Sequence, residues 1–146
     1  MSFQPDRSRE KFPAVLILLF VVIAALVAGA YFLRPRFESQ PPQIRITPAA
    51  DALGVGAPLE IVVTDAGAGL KSVTATLSAG GTEHTLASEQ PGGGVAERKY
   101  SVELAKLAGL KEGPAVLRVI ARDASLWNWF GGNEAAAQKD FAIDIT

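Results

Sequence analysis

An unbroken apolar run near the N-terminus is the first pattern in the chain. Residues 13–33, PAVLILLFVVIAALVAGAYFL, contain no charged side chain. As a helix, these 21 residues rise about 31 Å at ~1.5 Å per residue, which matches the ~30 Å hydrocarbon core of a bilayer. Tyr31 and Phe32 lie near one end, where aromatic rings favour the membrane interface. The pattern predicts a single transmembrane helix, because a soluble helix of this length without a polar face is unusual.

The flanks of this run bear on its orientation. Three basic residues precede it and two follow it closely, so charge alone hardly distinguishes the two sides. Only 12 residues precede the run, however, and a whole domain follows it. We therefore expect a cytoplasmic tail at 1–12, an anchor at 13–33 in a bacterial inner membrane, and a periplasmic C-terminal part. The small-x-small sequence ending at Ala30 offers signal-peptide cleavage as an alternative, although apolar residues continue to Leu33, which favours an uncleaved anchor.

After a proline-bearing linker at 34–42, the hydrophobic period becomes that of β-strands. Turn-forming sequences such as DAGAG, QPGGG and KEG, together with the longer DALGVGAP, separate the strand-like segments. LAKLAGLKEG is expected to add one helical turn before the sixth strand. Seven segments alternate apolar and polar residues: 44–47, 59–64, 73–78, 82–88, 99–104, 115–123 and 141–145.

This succession of strands predicts an all-β fold. No long amphipathic helix separates the strands, which argues against a parallel sheet. At about 100 residues and seven strands, the expectation is a seven-stranded immunoglobulin-like antiparallel sandwich at 43–146, preceded by the single transmembrane α-helix. In the last strand, Phe141, Ile143 and Ile145 are expected to point inward.

Composition removes most catalytic and binding chemistry. The chain has one histidine, His84, and no cysteine, so it offers no familiar zinc set, and we expect His84 to be a surface or half-buried strand residue. Residues 41–146 carry nine Lys or Arg against twelve Asp or Glu, a formal charge of −3, which argues against nucleic acid or anionic lipid as a direct partner. We expect no cofactor, no metal site and no enzymatic activity.

Two aspartates follow predicted strands, in VTDAGAGL and ARDASLW. Asp65 and Asp123 would bind calcium only with more acidic residues in the same loop. Asp side chains also close turns by accepting hydrogen bonds from backbone N–H groups, and this role is the expected one.

Both tryptophans fall in one loop, SLWNWFGGN, between the last two predicted strands. Sandwich domains often carry binding residues on such loops. One alternative is that a Trp ring closes the open end of the core. The other is an exposed patch that docks on a protein, a glycan or a membrane surface. The candidate partner-binding residues, which would face the partner or rigidify the loop, are Trp127, Trp129, Phe130 and Asn133.

Several segments carry a resemblance to a known family. PPQI, DAGAGLKSV and EGPAVLRVIARDASLWNWFGGN, after a basic tail and one span, resemble the N-terminal region of bacterial membrane-anchored lysostaphin-type peptidases, the zinc endopeptidases of peptidoglycan. The family's catalytic module follows this region and holds zinc through two His and one Asp. His84 alone matches neither motif, so no catalytic residue carries over. Since the chain ends at Thr146, where the family continues, the resemblance implies a fragment or an anchor that has lost the enzyme.

These observations lead to a functional hypothesis. The chain is expected to be an anchored periplasmic module that tethers or positions a cell-wall peptidase or another envelope protein. The alternatives are a subunit of a multi-protein inner-membrane or envelope complex, or a module that binds glycan, such as peptidoglycan.

Overall fold

A computed structural model describes residues 11–145 of the chain. It divides into two compact units, which meet between Arg34 and Pro35. The first contains the helix α1 (Lys11–Leu33), whose large apolar side chains are exposed on all sides. Within the described residues, one helix is long and apolar enough to cross a membrane, and this is α1. The predicted tail at 1–12 lies outside the described residues except for its last two positions, which belong to α1.

The second unit, residues 35–146, is called the β-domain below. The linker begins with a 3-10 turn at Arg34–Phe37. A second 3-10 turn, Leu104–Lys106, occupies the predicted helical turn, and a four-residue helical turn α2 (Trp127–Phe130) precedes the last strand. The strands are β1 (Gln43–Thr47), β2 (Ala52–Gly54), β3 (Pro58–Thr64), β4 (Leu70–Ala79), β5 (Thr82–Glu89), β6 (Glu97–Glu103), β7 (Gly113–Asp123) and β8 (Glu134–Asp144).

The strands form two sheets that differ from the prediction in the number of strands and in the direction of one pairing. One sheet has the order β1-β3-β6 and the other β2-β8-β7-β4-β5. The described residues therefore contain eight strands, so the prediction of seven was wrong. The additional strand, β2, lies in a segment predicted as a turn and pairs in parallel with β8, which makes the larger sheet mixed rather than purely antiparallel. With Leu53 as its one buried residue, β2 is too short to show a period of two.

Alternation along the central strands builds one hydrophobic core between the sheets. On β7, Leu117, Val119 and Ala121 are fully buried, as their spacing predicts. Residues of both sheets join them in one cluster, which includes Leu59, Ile61 and Val63 of β3 and Val73, Ala75 and Leu77 of β4. At the end of the chain, Phe141 and Ile143 are buried, whereas Ile145 is 44% exposed. The inward orientation predicted for Ile145 was wrong, because β8 ends at Asp144.

One end of the β-domain gathers three turns and the linker. The β3–β4 turn approaches the β5–β6 loop, where Gly93 N donates to Leu70 O at 3.0 Å and Gly94 N to Ala68 O at 3.2 Å. Gly69 has φ +83°, and a Cβ there would lie 2.5 Å from Gly94 N, so this crossing requires glycine. Ala124, at the start of the β7–β8 loop, donates to Gly69 O at 2.8 Å. These bonds hold the start of the β7–β8 loop, which contains SLWNWFGGN, against the β3–β4 turn.

Candidate functional site

The loop between β7 and β8 turns in the left-handed sense. Asn128, Trp129 and Phe130 have φ values of 52°, 55° and 67°. Each residue with a Cβ pays roughly 1–2 kcal/mol for this conformation, and Asn tolerates it best. Strain of this kind persists where the surrounding structure enforces it, and it is frequent at functional sites.

The turn at Trp127–Phe130, called the aromatic turn below, places its three rings at the surface. Trp129 is 94% exposed, Phe130 67% and Trp127 49%. None of them belongs to the core cluster, so they do not close the end of the core. Exposed rings are compatible with partner binding, which stays a prediction.

A buried carboxylate joins the two ends of the β7–β8 loop. Asp123, Ser125 and Asn133, which meet there, are called the base of the loop below. Asp123 is 1% exposed, and its Oδ1 accepts hydrogen bonds from Ser125 N (3.0 Å), Ser125 Oγ (2.7 Å) and Asn133 N (2.8 Å). Its Oδ2 accepts from Asn133 Nδ2 at 2.8 Å. At Gly132, with φ +77°, a Cβ would lie 2.3 Å from Asp123 O, so only glycine allows this approach. The two ends of the loop are thereby joined.

The same base holds the linker. Besides Asp123, the side-chain amide of Asn133 lies 2.9 Å from Glu38 O and 3.4 Å from Gln40 O. An amide has two hydrogens to donate, so the short contacts to Asp123 and Glu38 are the ones it satisfies best. Leu126 N donates to Arg36 O at 2.5 Å. Asn133 thus points into the base and fits the rigidifying role in the sequence hypothesis, while the three rings point outward.

Two buried aspartates share this base, and their environments shift their pKa values in opposite directions. Burial raises the pKa of Asp65, and the nearby charge of Asp123 adds to this, while the hydrogen bond from Gly69 N (2.5 Å) acts against it. For Asp123, burial also raises the pKa, but the hydrogen bonds from Ser125 and Asn133 outweigh burial, so its pKa is lowered. On acidification, Asp65 therefore takes up a proton before Asp123.

Both aspartates close turns, as expected from the sequence. Within the described residues, no group of three or more His, Cys, Asp or Glu side chains is arranged to hold a metal ion. His84 lies half-buried on β5, the edge strand farthest from β2 in the larger sheet, and its buried Nε2 has no hydrogen-bond partner. What the described residues show at this site is an exposed aromatic surface above a hydrogen-bonded base.

Beside the aromatic turn lies an open cleft of about 470 Å³. Trp127 and Asn128 form one side, and Arg122, Glu134 and Pro41 line the rest together with the loop glycines and Asn133. Arg122 Nε donates to Glu134 Oε2 at 2.6 Å, so the two charges on this wall neutralise each other. Sequence reasoning named Asp123 as a turn-closing residue and Asn133 as a candidate loop residue, but it missed the bonds that join them and the Arg122–Glu134 pair. The spacing of Asp123, Ser125 and the Gly-Asn pair is the signal for the joined loop ends.

Comparison with known protein families and with curated protein sequences finds no match to this chain. The resemblance to lysostaphin-type peptidases therefore remains a proposal.

Replacing Asp65 by Asn is expected to stabilise the β-domain at neutral pH by about 1 kcal/mol, the scale of one pKa unit, because burial and the charge of Asp123 disfavour the Asp65 carboxylate. The raised pKa of Asp65 means that folding favours its protonated form. The stability tied to that proton is present below the unfolded-state pKa and is lost as the pH rises through the folded-state pKa. Asn is neutral and keeps an oxygen for Gly69 N.

Thermal unfolding of the two proteins across pH checks this result. The advantage of Asp65→Asn should shrink as the pH falls through the raised folded-state pKa, and it should be gone by about pH 4, near the unfolded-state value, where the wild-type carboxyl is protonated in both states. Asp65→Ala is the matched control, because it removes the acceptor and should destabilise. A lower melting temperature for Asp65→Asn at neutral pH would contradict the assignment.

Replacing Trp129 by Gly is expected to leave the β-domain as stable as the wild type or up to about 1 kcal/mol more stable. Gly adopts positive φ without the left-handed penalty, and this gain exceeds its larger entropy in the unfolded chain. Trp129→Ala keeps the strained backbone and is the control, expected to be less stable than Trp129→Gly. Denaturant unfolding followed by circular dichroism measures both. A large loss of stability in both variants would mean that the ring packs inside the domain.

Proposed function

We propose that the chain is a single-pass membrane-anchored module whose β-domain, an immunoglobulin-like sandwich, holds a partner at a set distance from a bacterial inner membrane. The partner is a cell-wall peptidase or another envelope protein, and the module itself is not catalytic. Confining a partner to a thin layer at the membrane raises its effective concentration there.

The observation that carries this proposal is the way in which the linker is held. The backbone carbonyl of Arg36 accepts a hydrogen bond from Leu126 N, and that of Glu38 accepts one from the side-chain amide of Asn133. The chain leading to α1 is therefore tied to the β-domain almost to the end of the helix. A short linker that is hydrogen-bonded to the domain is less flexible than a free one, and this suits a module that sets a distance from the membrane.

The immunoglobulin-like character is part of the proposal. It is supported by two sheets around a single core and by the hairpins β4–β5 and β7–β8. The parallel pairing of β2 with β8 adds an eighth strand to the seven expected. The periplasmic location of the β-domain, expected from the sequence, is likewise part of the proposal.

The resemblance to lysostaphin-type peptidases supports a peptidase as the partner, or as the continuation of the same polypeptide. The alternative is a subunit of a multi-protein envelope complex. Both share the anchor and the β-domain, and they differ in what is bound to them.

Crosslinking in intact membranes, followed by purification of the tagged full chain, tests the proposal. The matched control carries residues 1–34 on an unrelated periplasmic β-domain. A peptidoglycan hydrolase enriched over this control is the expected result. Secretion or respiratory components without a hydrolase would favour the complex subunit, and no enrichment of any protein would contradict a tether.

A further inference from the structure

We propose that the aromatic turn inserts into the interfacial layer of the bilayer that α1 spans, so that the β-domain is held against the membrane at a second point. This inference rests on the single-pass anchor of the proposed function. It assigns the bilayer, rather than a protein or a glycan, as the occupant of Trp127, Trp129 and Phe130.

The chemistry of the turn suits this layer. Between Asp123 and Glu134 the chain carries no charged residue, although the β-domain as a whole is acidic. Beyond the linker at 34–42, its three rings are the most exposed large apolar side chains of the β-domain, and Trp129 is almost wholly exposed. Trp rings combine apolar area with a polar N–H and concentrate at membrane–water interfaces. Such insertion is driven by the burial of apolar rings and needs no basic surface.

Chain connectivity places the turn beside the membrane. Leu126, immediately before the turn, is hydrogen-bonded to Arg36, which lies three residues beyond Leu33, the last residue of α1. Three extended residues reach about 10 Å. The interfacial layer on each side of the hydrocarbon core is roughly 5–8 Å thick. On the proposal, the connection at Arg36 therefore keeps the base of the turn within reach of the headgroups.

The end of α1 carries aromatic residues of its own, and basic residues follow it. Tyr31 and Phe32 form an edge-to-face pair with ring centroids 6.0 Å apart. In membrane proteins such rings lie where the helix leaves the hydrocarbon region. Arg34 and Arg36 follow directly and suit the phosphate groups of lipids.

The strained backbone is consistent with a permanent occupant. The left-handed turn directs the rings away from the core, at a cost that the β-domain does not recover through packing. A bilayer is adjacent from the moment α1 is inserted, whereas a periplasmic protein or glycan has to be captured. On this account, the partner in the proposed function binds the β-domain at another surface.

The two Trp residues provide the test, because they are the only ones in the chain and both belong to the turn. The full chain is reconstituted in phosphatidylcholine vesicles that contain lipid with a nitroxide quencher near the headgroup or near the end of the acyl chain. We expect blue-shifted emission that is lost with the shallow quencher, reduced less by the deep one, and protected from aqueous iodide. Emission that iodide quenches and lipid quenchers leave unchanged would overturn the inference.

Single-Trp variants locate the effect within the turn. Trp127→Phe keeps the more exposed ring and should retain most of the shallow quenching, whereas Trp129→Phe should lose the larger share. A spectral change on adding peptidoglycan fragments, with no response to lipid quenchers, would assign the turn to glycan and overturn the inference.

Extraction of the same vesicles with alkali distinguishes failure of the turn to dock from failure of α1 to span the bilayer. A chain that stays with the lipid but shows no quenching contradicts the docking of the turn alone. A chain released by alkali contradicts the span, and with it both the proposed function and this inference.

Discussion

Replacing Asp123 by Ala is expected to destabilise the β-domain by about 3 kcal/mol or more, since a buried polar group left without a partner costs ~1–3 kcal/mol. The carboxylate accepts four hydrogen bonds from Ser125 and Asn133 in a site that is 1% exposed. Ala removes every acceptor at once and leaves the donors facing an apolar side chain. Denaturant unfolding of the solubilised full chain, followed by circular dichroism, measures the loss.

The pH dependence of Asp123→Asn separates charge from hydrogen bonding. The folded-state pKa of Asp123 is lowered, so its carboxylate contributes stability above the unfolded-state pKa, and this is lost as the pH falls through the folded-state pKa. The difference between wild type and Asp123→Asn should therefore be full at neutral pH and shrink below about pH 4. Asp140→Ala, at an exposed position of β8, is the control and should change stability by less than about 0.5 kcal/mol. A difference that stays constant through the acid range would show that the charge of Asp123 is not what the base uses.

Placing two arginines in the middle of α1 is expected to abolish its retention in the membrane. Arg at the centre of a span costs about 2.5–3.5 kcal/mol on the insertion scale, and Phe20→Arg with Ile23→Arg incurs this cost twice. The region from 13 to 33 carries no other charge that would compensate. Alkaline extraction of membranes, followed by detection of the chain in pellet and supernatant, measures the effect.

The matched control for this variant is Phe20→Leu with Ile23→Leu, which keeps the run apolar and should stay in the pellet. If the double-arginine chain also resists extraction, α1 is not the element that anchors the protein. The β-domain would then have to associate with the membrane by itself.

The features that the sequence predicted well are those with a local repeat. The run at 13–33 needs only its own composition to indicate a helix, and it lies within α1. The alternation of Leu117, Val119 and Ala121 with polar or half-buried neighbours is likewise visible in one segment, and all three are buried. Period and composition depend only on neighbouring residues, so they can be recognised without knowledge of the fold.

The features that it missed depend on distant partners or on the sign of a dihedral angle. The strand β2 exists because Leu53 lies beside Ile143, far along the chain. The bond from Asn133 to Glu38 spans 95 residues. Nothing in the letters WNWF indicates three positive φ values, since only glycine announces such a conformation and here it follows the turn. The candidate rings were named from the sequence, but the hydrogen bonds that hold the loop beneath them were not.

The most direct test of a single-pass anchored module is the side of the membrane on which each end of the chain lies. The chain has no cysteine, so one cysteine at a time can be introduced and labelled. Ser2→Cys reports on the N-terminus, and Glu83→Cys reports on an exposed position of β5. In bacterial cells with a permeable outer membrane, a maleimide that does not cross the inner membrane should label Glu83→Cys at once and Ser2→Cys only after lysis. Labelling of Ser2→Cys before lysis, with Glu83→Cys protected, would contradict the account, because the β-domain would then lie in the cytoplasm.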